Sequence, residues 1–532
     1  MKGYYRYYIV FAMALLVFVN FVDRQIITVL APFIRKDLGV SNAQLGMLYG
    51  TTFALFYGVL GIPIAKLADD WNRVWTLSLG LALWSLMSIG SGLAFNFPTL
   101  ALARVGVGVG EATTSPAAIS LLCDYFRKET RSTVISAYSM GSPAGAGVAL
   151  ILGGLIVASW QAAFPVRASA PLGLAGWQAA FIVVGVPGLL YALFILLTVK
   201  EPRRGLLDGQ PYEVSKRPWI GMLREAATMF PPWSFLGLRK FGSKAQARAN
   251  IVGLVGTILI AILLTHVTDG LASGANRSQI GAIGSFTMTS NFAQWVAIGI
   301  AAYATGSWIQ LNRLRDPVSH TLISGSPTFI VLALNHGLKG IIVNSLNAFV
   351  FVYASRYLGF TSKDGLTLGT VALFSGLSGF LAGGVLGDWS KRWHPAGRLY
   401  FSILALAAFC VFALIQYTTA SRPIFYACFG IGNALLATWP GCGMATAQDL
   451  VLPRMRGMAY AVISLGTSVI GLGLGPYCVG LLSDLTGNLR QAILCVLAFV
   501  PLILWTLWWI SRRLPHDEAT VELRARQAGE RI

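Results

Sequence analysis

The chain has 532 residues, of which 55% are hydrophobic and only 11% are charged. A soluble globular protein carries about 25% charged residues, so these proportions exclude a soluble domain, and the same apolar content excludes a disordered chain. The 58 glycines follow no three-residue period, which excludes a collagen-like fibre.

Apolar runs of about 20 residues are long enough to cross a bilayer as helices. We predict fourteen spans, at 5–31, 43–67, 74–95, 97–122, 132–158, 177–199, 250–268, 284–309, 326–355, 365–387, 399–419, 423–447, 457–482 and 490–511. The runs are continuously apolar rather than alternating, which argues against membrane strands. The first run is too long for a signal peptide and has no small-residue cleavage site after it, so we expect it to remain as a span. The sequence predicts an all-α integral membrane protein.

A formal net charge of +19 suggests binding to nucleic acid or to a membrane surface. The positions of the basic residues along the chain decide what this charge means. With the N-terminus inside, most of the Lys and Arg residues fall in loops on the cytoplasmic side. This agrees with the positive-inside rule and predicts that both termini are cytoplasmic. The basic excess is therefore an orientation signal, and we expect no nucleic-acid partner.

Two charged patterns, D-x3-R and then D-x6-R, occur twice in the same order. The four pairs are Asp69 with Arg73, Asp124 with Arg131, Asp388 with Arg392, and Asp449 with Arg456. The copies are 319 residues apart for the first pattern and 325 for the second, and a near-constant offset indicates duplication. The predicted divisions are an N-half (1–200), a linker with two extra spans (201–325), a C-half (326–512) and a cytoplasmic tail (513–532).

Several motifs resemble those of known transporters. The segment Gly384–Arg392 resembles the loop motif of the major facilitator superfamily, and Arg104–Ala112 resembles its arginine-bearing fourth helix. More narrowly, four segments together resemble the Spinster subgroup: Asn20–Arg24, Gly110–Pro116, Asp124–Arg131 and Lys200–Gly205. The resemblance implies a fold of two six-helix halves and, for the subgroup, transport of lysophospholipid or sphingosine phosphate, with proton coupling in bacterial members.

The duplicated charges are expected to form a cytoplasmic gate. An Asp at the end of one helix and an Arg at the start of the next can bridge the two halves when the cytoplasmic side is closed. The gate residues are Asp69, Arg73, Asp124, Arg131, Asp388, Arg392, Asp449 and Arg456. Alternatively, these are ordinary interfacial charges of little energetic weight. The duplication favours a two-state lock of the kind that alternating access requires.

An ionisable residue inside a span is costly and suggests function. Arg104 and Glu111 are seven residues apart, so they share one face of a helix, and the family fold places Asp23 of span 1 in the same cavity. We expect these three to couple proton movement to transport: Arg104 neutralises one carboxylate, and the other exchanges a proton or competes with an anionic substrate. A static ion network between spans 1 and 4 is the alternative.

The ninth span carries Asn335, His336 and Lys339, and Trp439 lies on the twelfth. A buried Lys facing a cavity suits an anion, so these four residues, with Arg104 and Glu111, are the predicted substrate contacts. Hydrogen bonding between helices is the alternative for Asn335 and His336. A polar N-half wall opposite an apolar C-half wall suits an amphipathic molecule.

Other functions find little support. The five histidines are scattered, with no HExxH or P-loop motif, and the six cysteines form no CxxC. We therefore expect no enzyme, metal or cofactor, and a membrane-embedded lipid enzyme is the least favoured class. The expected function is a proton-coupled carrier of an amphipathic organic anion, a monomer in the bacterial inner membrane. An organic-acid or drug carrier of the same superfamily is the alternative.

Overall fold

The computed structural model describes residues 3–39, 51–209, 214–271, 279–283, 286–360 and 362–530. Within them the chain is almost entirely helical, as the sequence predicts. Residues 43–50 of the second predicted span lie outside the described residues.

The N-half forms eight α-helices in the described part of the chain. They are α1 (Gly3–Leu38), α2 (Thr51–Asp70), α3 (Arg73–Gly92), α4 (Phe97–Glu111), α5 (Thr114–Tyr125), α6 (Arg131–Ser139), α7 (Gly141–Ala163) and α8 (Gly176–Thr198). Side-chain caps fix two of the helix starts: Asn72 accepts from the Trp75 amide before α3, and Asn96 forms a capping box with Thr99 at α4. The most extensive packing joins α3 to α8 and α1 to α7.

The linker and the two extra spans follow. They comprise α9 (Pro218–Ala227), α10 (Trp233–Phe241), α11 (Lys244–Leu271), β1 (Gln279–Ile283), β2 (Phe286–Thr289) and α12 (Ser290–Arg315). The two strands pair antiparallel. The eighth span was predicted to start at 284, which is too early, because Phe286–Thr289 is extended. The Thr289 hydroxyl accepts from the Phe292 amide, so α12 begins only after this cap.

The C-half begins after a π-helical turn at His320–Ser324. Its helices, with the tail, are α13 (Pro327–Leu358), α14 (Ser362–Trp393), α15 (Gly397–Thr418), α16 (Arg422–Ala437), α17 (Trp439–Asp449), α18 (Arg456–Gly466), α19 (Gly473–Thr486), α20 (Leu489–Leu497), α21 (Val500–Ala519) and α22 (Val521–Gln527). A π-helical segment, Thr467–Leu472, joins α18 to α19. The described part of the tail begins as the end of α21, turns at Thr520 and continues as α22.

Ten helical stretches in the described residues are long and apolar enough to cross a membrane. They differ in how far protein covers them: 67% of the apolar window in Pro327–Leu358 is buried, against 11% in Lys244–Leu271. Lys244–Leu271 therefore lies at the periphery of the protein, as expected for an inserted segment.

The fourth and twelfth predicted spans bend at matching positions. The break between α4 and α5 contains Thr113, and the break between α16 and α17 is Thr438. The Thr113 hydroxyl donates to the Gly110 carbonyl at 2.8 Å, and the Thr438 hydroxyl donates to the Leu435 carbonyl at 2.7 Å. These residues are offset by 325 positions, as Asp124 and Asp449 are, so the repeat seen in the sequence extends to backbone geometry.

Candidate functional site

Two aspartates from the duplicated pattern cap helices in the opposite half. Asp69, at the end of α2, accepts hydrogen bonds from the amides of Gly457 and Met458 in the first turn of α18, both at 2.9 Å. Asp388 on α14 accepts from the amides of Ser132 at 3.3 Å and Thr133 at 2.8 Å in the first turn of α6. A carboxylate at a helix N-terminus satisfies free amides and complements the helix dipole. The exchange is reciprocal, so each half caps a helix of the other.

The second duplicated pattern is also exchanged between the halves. Arg131 pairs with Asp449 at 3.0 Å, and Arg456 pairs with Asp124 at 2.8 Å. All four side chains are at most 2% exposed. Buried pairs of this kind are costly to break singly, because the partner left behind remains a buried charge.

In the C-half, the counterpart of Arg73 is Arg398 and not the predicted Arg392. Arg73 lies at the start of α3 and pairs with Asp124 at 2.6 Å and with Glu201 at 2.7 Å. In the C-half the matching contacts are made by Arg398, which pairs with Asp388 and with Asp449 at 2.8 Å. Arg392 is exposed on the last turn of α14. Spacing alone pointed to Arg392, whereas the position that matches Arg73 is the first turn of the next helix.

Residues that the sequence did not single out complete this group. Asp208 of the linker accepts hydrogen bonds from both Arg131, at 2.8 Å, and Arg456. Lys391 donates to Asp449 at 2.6 Å and to Glu518 of the tail at 2.8 Å. We call the whole set the inter-half cluster: Asp69, Arg73, Asp124, Arg131, Glu201, Asp208, Asp388, Lys391, Arg398, Asp449, Arg456 and Glu518. The available signal for Asp208 was that it is acidic within a strongly basic linker.

The cations of the inter-half cluster control how its carboxylates ionise. Burial alone would raise the pKa of Asp208, but the guanidinium groups of Arg456 and Arg131 outweigh it and hold the pKa below its usual value. Burial would also raise the pKa of Asp449, and Lys391, Arg398 and Arg131 together lower it. Both carboxylates are therefore ionised at neutral pH.

A second set of charges is buried within the N-half. Arg104 on α4 pairs with Asp23 on α1 at 3.3 Å, and the Ser88 hydroxyl also donates to Asp23. The guanidinium carbon of Arg104 lies 5.7 Å from the centre of the Phe181 ring. The structure thus brings together two of the three predicted proton-coupling residues.

Glu111 occupies a different position from Asp23. It ends α4 at the bend and is 1% exposed. The Asn20 side chain lies within interaction range, but Glu111 forms no salt bridge among the described residues. It lies within electrostatic range of Arg24, Asp23 and Arg104. Arg104 is therefore paired with one of two buried carboxylates, and the other stands apart.

Three of the predicted C-half contacts form one cluster. The Lys339 ammonium lies 3.7 Å from the centre of a Trp439 ring, and the ring centres of His336 and Trp439 are 4.8 Å apart. His336 Nε2 and Trp439 Nε1 are buried without a hydrogen-bond partner in the part of the chain that the structure describes. This cluster provides a cation, an aromatic face and two ring nitrogens.

Asn335 belongs elsewhere. Its side-chain amide donates to the Ile503 carbonyl at 3.1 Å and to the Thr506 hydroxyl at 2.8 Å. It therefore ties α13 to α21 by hydrogen bonding between helices, the alternative considered for it. Its Oδ1 is buried without a hydrogen-bond partner among the described residues, and its predicted contact with substrate stays a prediction.

The arrangement of helices, the exchanged charges and the buried ions define a membrane transporter. The chain belongs to the major facilitator superfamily, whose family model matches residues 13–476. Among characterised relatives it is 24% identical over 507 residues to an MFS-type efflux pump of Mycolicibacterium smegmatis, covering 94% of this chain and 91% of that protein. It is 24% identical over 472 residues to the mouse sphingosine-1-phosphate transporter SPNS2, covering 88% and 68%.

Solved structures agree with this fold. A bacterial homolog of the human lysosomal transporter Spinster, in an inward-facing and occupied conformation, aligns with a TM-score of 0.53 at 24% identity, covering 97% of this chain and 99% of that one. The human organic anion transporter MFSD10 aligns with a TM-score of 0.58 at 13% identity, covering 94% and 99%. The family match and the Spinster relatives, together with this fold, confirm the resemblance to Spinster transporters that the motifs indicate.

Proposed function

We propose that this chain is a proton-coupled secondary transporter that moves an amphipathic organic anion by alternating access. One observation carries the proposal: Arg104 pairs with only one of two buried carboxylates. The inter-half cluster supplies the second requirement, a lock that closes one side of the transporter. Its bonds join the halves, so rocking the halves apart must break them.

Proton coupling follows from the difference between Asp23 and Glu111. A buried carboxylate that is not paired with a cation is costly in an apolar interior, so we assign Glu111 as the group that takes up and releases the proton. When Glu111 loses that proton, it competes with Asp23 for Arg104. Proton release and a change of ion pairs are then one event, which is what coupling requires.

The substrate class follows from the cations and their surroundings. Arg104 in the N-half and Lys339 in the C-half suit an anionic group, and the Trp439 face suits an apolar body. A lysophospholipid or related lipid has both features, and one relative is a sphingosine-1-phosphate transporter.

The proposed topology has fourteen spans: six in the N-half (1–200), two in the linker segment (201–325) and six in the C-half (326–512). Both termini, with the tail 513–532, are cytoplasmic, and the inter-half cluster is the cytoplasmic gate. The distribution of Lys and Arg favours this orientation. We place the protein as a monomer in a bacterial inner membrane.

Transport into liposomes tests this function. Reconstituted wild-type protein should accumulate a lysophospholipid only with a pH gradient, and Glu111→Gln and Asp23→Asn should each abolish the dependence on that gradient. Glu129→Gln is the matched control, because Glu129 is an exposed carboxylate. Unchanged pH-driven accumulation in Glu111→Gln and Asp23→Asn rejects the coupling assignment.

A carrier of hydrophilic organic acids is the second candidate. A probable L-galactonate transporter of Escherichia coli is 31% identical over 185 residues, covering 34% of this chain and 37% of that protein. Thermal stabilisation of the purified protein separates the two, because a ligand stabilises only the state that binds it. Stabilisation by sugar acids without stabilisation by lysolipids favours this candidate.

A further inference from the structure

The linker segment Gly205–Gly209 inserts one acidic side chain between the two halves. Leu206–Asp208 form a 3₁₀ turn bounded by Gly205 at φ 66° and Gly209 at φ 72°, backbone angles that glycine adopts without strain. The Asp208 side chain is 7% exposed. The turn thus places the Asp208 carboxylate in the buried contact between the two halves.

Asp208 contacts the two arginines that the repeat relates to each other. Arg131 Nη2 lies 2.8 Å from both Asp208 oxygens, and Arg456 Nη2 donates to Asp208 Oδ2. Arg131 begins α6 of the N-half and Arg456 begins α18 of the C-half. One carboxylate therefore spans two equivalent helix starts, one from each half.

The other partners of Arg131 and Arg456 explain what Asp208 adds at this point. Asp124 forms salt bridges with Arg73 and Arg456. Asp449 forms salt bridges with Arg131, Lys391 and Arg398. Arg73, Lys391 and Arg398 each have a further carboxylate partner, in Glu201, Glu518 and Asp388. Among the described residues, Arg131 and Arg456 have no further carboxylate partner apart from Asp208. A third carboxylate close to Arg131 and Arg456 offsets the repulsion between these buried guanidinium groups.

We propose that Asp208 is a positioning residue for the transport cycle: it is a linker-borne latch that holds Arg131 and Arg456 together and so favours the conformation in which the inter-half cluster is closed. The linker is then part of the lock. When the halves separate, Asp208 can remain with at most one of its two arginines, so opening costs the other bond.

A native cysteine provides a probe that leaves the latch untouched. Cys442 is fully buried; its sulfur lies 3.7 Å from the Ser132 hydroxyl of the opposite half and 3.3 Å from the Gly383 carbonyl. With the other five cysteines replaced by serine, a membrane-impermeant maleimide added to inside-out vesicles should reach Cys442 when the halves separate. Asp208→Asn should raise its labelling rate about tenfold, the factor expected from losing one charge-assisted hydrogen bond.

Two matched variants control for charge and for length. Glu129→Gln removes one exposed carboxylate close to Arg131 and should leave the labelling rate unchanged. Asp208→Glu keeps the charge and should stay nearer to wild type than Asp208→Asn, and it also serves if the Asn variant does not fold. Three results would overturn the latch. The first is a labelling rate for Asp208→Asn equal to that of wild type. The others are a rate for Glu129→Gln, or for Asp208→Glu, raised as far as that of the folded Asp208→Asn variant.

Because this role presupposes the alternating access proposed above, Asp449→Asn is included as a test of the lock itself. If Asp449→Asn raises labelling and Asp208→Asn does not, the latch is wrong and the lock stands. If neither variant changes the rate, the inter-half cluster is not a lock, and both proposals fail.

Discussion

At the scale of single residues, the contact between Lys339 and Trp439 is the clearest candidate for recognising substrate. The ammonium lies 3.7 Å from the ring centre, and no carboxylate among the described residues pairs with it. A desolvated cation–π contact contributes about 2 kcal/mol, but it leaves a positive charge that an anion can neutralise. The geometry suits a group held ready for an anionic ligand.

Lys339→Gln should therefore weaken binding of an anionic amphiphile about tenfold or more, because the substrate loses a charge-assisted partner. Binding to the purified protein, followed by tryptophan fluorescence or calorimetry, measures the change. Lys216→Gln, in the linker and exposed, should bind as wild type does. Equal affinity for wild type and Lys339→Gln would show that Lys339 does not contact the substrate.

Gly457 matters because Asp69 approaches it closely. A Cβ at this position would lie 2.7 Å from Asp69 Oδ1, which is closer than real contacts allow. Gly457→Ala should displace Asp69 and raise the labelling rate of Cys442 several-fold, with a destabilisation of about 1–3 kcal/mol. Gly256→Ala is the control, because a Cβ there meets nothing within 4 Å; similar behaviour of the two variants would contradict the close-approach explanation.

At the scale of helices, a substitution at Asn335 tests whether this residue contributes to stability or to substrate binding. Its bonds to Ile503 and Thr506 join α13 to α21. Asn335→Leu should lower the free energy of unfolding by about 1–3 kcal/mol, since it leaves the Ile503 carbonyl and the Thr506 hydroxyl without this partner, and should leave substrate affinity unchanged. Thermal unfolding together with a binding titration measures both quantities; lost affinity at unchanged stability would restore Asn335 to the binding site.

The inter-half cluster should respond to pH in a defined direction. The pKa of Asp208 and that of Asp449 are lowered in the folded protein, so their stabilisation is present above the unfolded value of about 4 and is lost as the pH falls below it. The difference in Tm between wild type and Asp208→Asn should thus be constant from about pH 5 to 8 and shrink below pH 4. A difference that disappears between pH 8 and 6 would show that Asp208 is not held ionised by its arginines.

At the scale of the whole molecule, the sequence predicted the repeat and the pairing of unlike charges, because both are patterns in residue number. The described part of each predicted span contains helix, apart from the strand at Phe286–Thr289, and ten helical stretches are long and apolar enough to cross a membrane. The sequence also identified Asp69 and Asp388 as functional candidates. It did not predict that each caps a helix in the opposite half, since that depends on how the halves dock. The sequence pointed to Arg392 instead of Arg398 for the same reason. Spacing along the chain does not show which arginine lies buried at the start of the next helix.

The remaining differences come from short-range structure and from the linker. The antiparallel strands β1 and β2 are only five and four residues long, too short for a span prediction to detect. Asp208 belongs to no repeated pattern, because the linker occurs only once in the chain. Glu111 lies within electrostatic range of Asp23 and Arg104, but spacing along the chain could not tell which of the two carboxylates pairs with Arg104.

Simultaneous measurement of substrate and proton movement tests the central claim most directly. Liposomes that contain a pH indicator and reconstituted wild-type protein should show a proton flux when an outward gradient of radiolabelled lysophospholipid is imposed. Glu111→Gln should still exchange labelled for unlabelled substrate but should move no protons. A Glu111→Gln variant that moves protons with substrate at the wild-type ratio would contradict the assignment of Glu111 as the proton-carrying group.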